Sequence, residues 1–226
     1  IHIITAARSP METWQFFVDN WQLTLELAWQ HAWLVSIAVT IAIFTGVPIG
    51  IWITFNEKAA DIVLYIAGII MTIPSIALFG IMIPLLSVFG YGIGTVPAIV
   101  ALVLYSQLPI IRNTYAAVKN VDPNIIDAGV GMGMTRFQVL GKVQLPMALS
   151  VIFAGVRVAV VMSIGIGAIA AYIGAGGLGR FIFMGITQTY DAMINCGAIT
   201  VAVMAVIVDY LFGFIENRLV SKGLRP

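Results

Sequence analysis

Asp122-Pro123-Asn124-Ile125-Ile126-Asp127-Ala128-Gly129-Val130-Gly131-Met132-Gly133-Met134-Thr135-Arg136-Phe137, running on to Val143-Gln144-Leu145-Pro146, is the one long hydrophilic insertion between strongly apolar segments of this chain. It carries its own helix punctuation. Asp122 is an N-cap residue followed by proline at the first helical position, where the missing N–H is not needed. From there to Met132 the pattern predicts roughly three turns of helix. Gly131 and Gly133 break it, and Thr135 caps a second helix predicted to run to Pro146. Ile125, Ile126, Val130, Met132, Met134 and Phe137 give this helix–turn–helix an apolar surface that lipid would not cover. A short helix of that kind suits insertion into a partner's groove.

On either side the chain is almost free of charge. Hydrophobic residues make up 61% of it and charged residues 9%, against about 25% charged in ordinary soluble domains. Five runs are long enough to cross a hydrocarbon core of ~30 Å: 32–55, 62–86, 94–111, 147–170 and 192–215. The runs are continuous rather than alternating, which excludes barrel strands. The fold class expected is therefore all-α, a polytopic integral membrane protein with five transmembrane helices. Pro48 marks a kink in the first run. Pro74 and Pro84 divide the second, which ends in a glycine-rich turn through Tyr91. Broken helices are tolerated in a membrane where freed backbone groups face protein or a water-filled cavity. The segment between Pro74 and Pro84, with Ser75, is thus either a pathway lining or a packing kink.

Residues 11–30 form an amphipathic helix candidate, interfacial and external. Glu12, Asp19 and Glu26 recur every seven residues beside Gln15, Gln22 and Gln30. Trp14, Phe17, Val18, Trp21, Leu25 and Trp29 hold the other face. No cleavable signal pattern is read, since the first long apolar run starts about thirty residues in without a basic leader. The domain plan is an external segment 1–30, one transmembrane domain 31–220 with the hydrophilic loop 112–146, and a tail 221–226. With that loop inside, Lys58, Arg112, Lys119, Arg136, Lys142, Arg218, Lys222 and Arg225 lie on the cytoplasmic side. Only Arg8 and Arg180 lie outside. That bias puts the N-terminus outside and the C-terminus in the cytoplasm.

The loop resembles a family. Asp127-Ala128-Gly129, three residues, Gly133, nine residues, then Val143-Gln144-Leu145-Pro146 matches the spacing of E-A-A-x3-G-x9-I-x-L-P. That pattern marks the permease subunits of ATP-binding-cassette importers; Asp127, Gly129 and Val143 are the departures. Ile73-Pro74-Ser75-Ile76-Ala77-Leu78-Phe79-Gly80, Leu108-Pro109-Ile110-Ile111-Arg112-Asn113-Thr114-Tyr115 and Ile173-Gly174-Ala175-Gly176-Gly177-Leu178-Gly179 look like its osmoprotectant branch, which imports glycine betaine, carnitine and choline. The resemblance implies a bacterial inner-membrane subunit without catalysis of its own. Its implied partners are a pair of ATPase subunits on the loops, a second permease (identical or a sister) and an external substrate-binding protein. It also implies roles: residues 122–134, including Asp122, Pro123, Ile126, Ala128 and Gly129, transmit ATPase closure to the pore. Asp127 anchors the loop by charge, Gly133 allows the turn, and Leu145 and Pro146 set the start of the fourth span. ATP and Mg would be held by the partner ATPase, and this chain is expected to hold no cofactor and no metal.

Other constellations stay open at this level. Gly174-x-Gly176-x-x-Gly179 fits the dinucleotide fingerprint letter for letter, but the fingerprint needs a preceding strand in a βαβ unit. A transmembrane run precedes it here, so it reads as a flexible or re-entrant external segment or a close-packing site. Arg157 lies about 15 Å of helix beyond Pro146, and intramembrane charge usually faces the bundle interior. Asp209 would pair with it or cap backbone carbonyls, as a structural tether or a participant in gating. Tyr91, Tyr105 and Tyr172 are either interfacial tyrosines or faces for a quaternary ammonium group through cation–π contacts. There is no G-x4-G-K-[ST] loop, no H-E-x-x-H and no G-x-S-x-G, which argues against an ATPase, a zinc hydrolase or a serine hydrolase. A formal net charge of +1 gives no nucleic-acid footprint. Competing readings are the same machinery carrying methionine or another betaine, an ion-coupled carrier, and a membrane scaffold. The carrier would need more intramembrane acids and internal repeats.

Overall fold

The computed structural model describes residues 10–219; Arg8, Lys222, Arg225 and the segments 1–9 and 220–226 lie outside the described residues. Every regular element among them is helical. In chain order these are α1 (Pro10–Asp19), α2 (Trp21–Trp52), α3 (Glu57–Thr72), α4 (Ser75–Ser87), α5 (Thr95–Lys119), α6 (Pro123–Gly131), α7 (Arg136–Val139), α8 (Leu145–Gly167), α9 (Gly179–Gln188) and α10 (Asp191–Leu219). Short 3-10 segments occupy Ile53–Phe55 and Ala168–Ile173, and a π segment occupies Leu140–Gln144. Four apolar stretches are long enough to cross a membrane, Trp21–Phe55, Thr95–Lys119, Arg136–Ile173 and Asp191–Glu216. The bent pair α3–α4 makes a fifth if counted as one span. That agrees with five spans, the second broken at Ile73–Pro74, where both residues leave helical conformation.

The chain divides into two compact units. The first holds residues through 38 with 74–102 and 163–207; the second holds 39–73, 103–162 and the residues from 208 on. In the first, Leu27 of α2 packs with Leu178, Phe181, Met193 and Cys196, and Phe16 and Phe17 of α1 close over them. In the second, Ala117, Val118, Ala148 and Ile152 join α5 to α8, while Ile53, Ala60 and Ile111 join the 3-10 turn, α3 and α5. Small residues set the helix spacing there. A Cβ at Gly50 would lie 2.6 Å from Thr114 Cβ, and one at Gly155 would lie 2.5 Å from Asn113 Cβ and 2.9 Å from the Pro109 carbonyl oxygen. Within a membrane, where lipid is as apolar as leucine, such close backbone approach drives helix association.

Three expected boundaries move. The helix expected over 11–30 is interrupted at Asn20, whose side-chain amide donates to the Phe16 carbonyl at 2.9 Å, and its second half is the first part of α2. The tryptophan face, read as suited to the membrane–water boundary, is mostly outward, although Phe17 of that face packs inward. Trp14, Trp21, Leu25 and Trp29 are exposed, whereas Thr24, Leu27 and His31, three and four residues apart, are buried. A face turned to lipid favours large apolar side chains, so this apolar stripe does not identify the packed one. The third span runs beyond 111 to Lys119 as α5. The helix after Thr135 does not stop at Pro146: α7 passes through the π segment into α8 with helical dihedrals at Leu140 and Leu145. Pro146 cannot donate a helical hydrogen bond. The wider π turn, in which the Leu145 N–H reaches the Leu140 carbonyl five residues back, precedes it in α8's first turn.

Candidate coupling site and intramembrane ion pair

The segment from Asp122 to Pro146 is built almost entirely by local hydrogen bonds. The Asp122 carboxylate accepts from the Asn124 backbone N–H at 2.9 Å, and Pro123 occupies the first turn of α6. The helix ends with the Gly133 N–H donating to the Val130 carbonyl at 2.9 Å and the Met134 N–H to the Gly129 carbonyl at 3.1 Å. That is the double-bonded Schellman stop, with Gly133 at φ +82° as its left-handed residue. Thr135 and Gln138 then form a reciprocal capping box, the Thr135 N–H donating to the Gln138 side chain at 2.8 Å. Gly129 is buried between the two short helices, facing Val139 and Met134. Asp127 and Ala128 are exposed on α6, and Ile126 is half-buried.

Two contacts hold this segment in its unit, and a third braces α5 against α3. Gln144 donates its side-chain amide to the Val118 carbonyl at 3.2 Å, satisfying one of the last carbonyls of α5. The Arg136 guanidinium lies 4.8 Å from the centroid of the Phe55 ring, and Phe137 stands beside the same ring at 6.3 Å. Lys119 at the end of α5 pairs with Glu57 at the start of α3 at 3.0 Å, an exposed pair worth ~1 kcal/mol at most. Between these contacts runs a groove of about 550 Å³, lined by Phe55, Lys119, Ile126, Met134 and Val139 among others. On the same pair of helices Val130, Met132 and Phe137 are 57%, 73% and 78% exposed. The capped helix pair thus presents several largely exposed apolar side chains.

Arg157 and Asp209 do meet. The guanidinium donates from Nε to Oδ1 and from Nη2 to Oδ2, each at 2.6 Å, a bidentate pair joining α8 to α10. Glu216 joins them, its Oε2 3.6 Å from Arg157 Nη1. Sequence reading ended the fifth span at residue 215 and so left Glu216 out; its placement on the helical face of Asp209 was the available signal.

The residues singled out for a pathway fall in both units. Ser75 begins α4, and Pro74 precedes it as the N-cap. Tyr105 is buried with its hydroxyl donating to the Ile73 carbonyl, at the break after α3. Tyr172, in the first unit, is exposed and meets Phe183 at a tilted 52° with centroids 5.5 Å apart. Sequence reasoning missed His31, which is fully buried and hydrogen-bonded to the Ile164 carbonyl at 3.0 Å. Beside it, the Gly177 N–H donates to the Gln30 side chain at 3.3 Å. The Gly174–Gly179 segment is therefore held by α2 rather than free, with Gly174, Gly176 and Gly177 all at positive φ. Among the described residues no group of histidine, cysteine and acidic side chains is arranged to hold a metal ion.

The described residues thus form apolar helices long enough to cross a membrane, with a capped helix pair between two of them. The chain belongs to the family described as binding-protein-dependent transport system inner membrane component, which matches residues 46–225. It is a multi-pass membrane protein of that class. It is similar to the osmoprotectant import permease protein OsmW of Salmonella typhimurium, 47% identical over 95% of this chain and 100% of that one. The carnitine transport permease protein OpuCB of Listeria monocytogenes is 42% identical over 93% of this chain and 94% of its own length. Among solved structures, the MetNI methionine ABC transporter in inward facing conformations aligns with a TM-score of 0.75 at 28% identity, covering 92% of this chain and 99% of that one. An amino acid ABC transporter with a TM-score of 0.77 is 21% identical over 90% of this chain and 97% of its own, a likeness of fold.

Proposed function

We propose that this chain is the translocating subunit of an ATP-driven importer for a compatible solute of the glycine betaine, carnitine and choline type. ATP and Mg are bound by a partner ATPase pair rather than by this chain, which is a non-catalytic pore subunit. The observation that carries the reading is the α6–α7 pair, capped at its ends and anchored to the 3-10 turn at Phe55 and, through Gln144, to α5, while Val130, Met132 and Phe137 are more than half exposed. A lever of this kind transmits motion only if a partner grips it and its own base is stiff. Asp127 and Ala128 present the exposed rim of that grip, and Ile126, Gly129 and Gly133 shape the fold beneath it. Leu145 and Pro146 pass the movement into α8.

The N-terminus lies outside and the C-terminus in the cytoplasm, as the distribution of basic residues supports. Residues up to 30 form an external segment, 31–220 the permease domain and 221–226 a cytoplasmic tail. A second permease, identical or a sister, completes the pore. Supporting this, only 6% of the most apolar window of Asp191–Glu216 is buried within the single chain. A separate external binding protein delivers the substrate. The substrate class rests on relatives whose names specify osmoprotectant and carnitine transport at 47% and 42% identity. The methionine transporter stands further away, at 28%. Pro74, Ser75, Tyr105 and Tyr172 remain pathway candidates of secondary weight, since Tyr105 already commits its hydroxyl to the backbone.

The test is reconstitution in liposomes with the cognate ATPase and binding protein. Glycine betaine, carnitine or choline should stimulate ATP hydrolysis and compete with one another for uptake, and methionine should not. Stimulation by methionine alone would reassign the cargo. ATP-independent uptake would remove the importer reading.

A further inference from the structure

Asp209, Gly213 and Glu216 stand four and three residues apart on α10, and so share one face of that helix. The Arg157 guanidinium lies along this face. Its Nε and Nη2 are bound to Asp209 at 2.6 Å each. Its third nitrogen, Nη1, lies 3.6 Å from Glu216 Oε2, an ion-pair separation too long for a hydrogen bond. Gly213 lies under the ion: a Cβ there would sit 3.4 Å from Nη1 and 3.6 Å from Cζ. One guanidinium thus serves two carboxylates across a floor kept bare by glycine.

We propose that Asp209, Gly213 and Glu216 form a two-position seat for Arg157, by which α8 and α10 change register during the transport cycle. The proposal rests on the importer reading above and extends it to residues with no assigned role in it. Moving Nη1 into hydrogen-bond range of Glu216 requires a displacement of about 1 Å, the scale of helix shifts in switching proteins. The drive comes from the coupling segment, since α7, the π segment and α8 form one continuous helical path to Arg157. Phe153, one turn before Arg157, meets Phe212 of α10 at 5.5 Å and keeps these faces together. A fixed tether would need neither the second carboxylate nor the bare floor.

The experiment compares Asp209→Asn and Glu216→Gln in proteoliposomes containing the permease, its ATPase and its binding protein. ATP hydrolysis is measured with and without binding protein and substrate. Asp209→Asn removes the occupied position and is expected to raise unstimulated hydrolysis about fivefold or more. Glu216→Gln removes the waiting position and is expected to lower stimulated hydrolysis and uptake by a similar factor, with the complex intact on size exclusion. Opposite signs support the seat. Changes of the same sign, or a Glu216→Gln variant indistinguishable from wild type, overturn it. If Asp209→Asn fails to assemble, Glu216→Asp decides, because it keeps the charge and withdraws it by one methylene. Reduced stimulation in an assembled complex supports the seat, and a wild-type rate overturns it. A wild-type chain that neither binds an ATPase nor imports solute would overturn the parent reading instead.

Discussion

Gly133 is the position where a single methyl group should reach function. Its φ of +82° closes the Schellman stop between α6 and α7, a conformation that any residue with a Cβ enters at about 1 kcal/mol or more. Nothing lies within 4 Å of a Cβ built there, so the effect is conformational and not a clash. Gly133→Ala should therefore weaken the association of solubilised permease with its ATPase about fivefold, given that 1.4 kcal/mol is tenfold. Gly133→Val, stiffer at its β carbon, should weaken it tenfold or more. The control is Gly129→Ala. There a Cβ would lie 3.5 Å from Val139 Cγ2 and 3.6 Å from Met134 Sδ, ordinary contact distances, and alanine favours the helix by about 1 kcal/mol over glycine. That variant should bind as tightly as wild type or slightly more so. Binding is read by titration calorimetry and coupling by stimulated ATP hydrolysis. Wild-type affinity in Gly133→Val, or equal damage from Gly129→Ala, would refute the assignment of the turn as the lever's elbow.

Further outcomes follow from the same contacts. Met132→Ser removes a side chain that is 73% exposed, so it should lower ATPase affinity and leave the thermal midpoint of the permease alone almost unchanged. Gln144→Met removes the donor to the Val118 carbonyl; a loss of ~1 kcal/mol should lower Tm by about 2–4 °C in a scanning fluorescence assay. Gly179→Ala places a Cβ 1.8 Å from the Ala168 carbonyl oxygen, which no side-chain adjustment relieves. That variant should lose the folded form on size exclusion, whereas Gly165→Ala, with open space around it, should behave as wild type.

The hydrophobic runs and the helix punctuation of residues 122–138 were legible in the sequence because both depend on neighbours a few positions away. A run of ~20 apolar residues sets a span by its length alone. Asp122, Gly133, Thr135 and Gln138 set helix ends through bonds to residues within five positions of themselves. The Arg157–Asp209 pair was foreseeable as one option because intramembrane charges have few partners to choose from.

Tertiary structure decided what joins positions far apart in the chain. It chose Thr24, Leu27 and His31 as the packed residues of α2, which the sequence pattern did not single out because a lipid-facing surface and a protein-facing one are both apolar. It carried the chain through Pro146 by widening one turn, set Gln30 against the Gly177 backbone N–H, and brought Glu216 to the guanidinium of Arg157. Local sequence patterns choose where helices begin, end and cross a bilayer. Which faces of those helices touch is chosen by packing and by the pairing of buried polar groups, and neither is encoded in the spacing of any one segment.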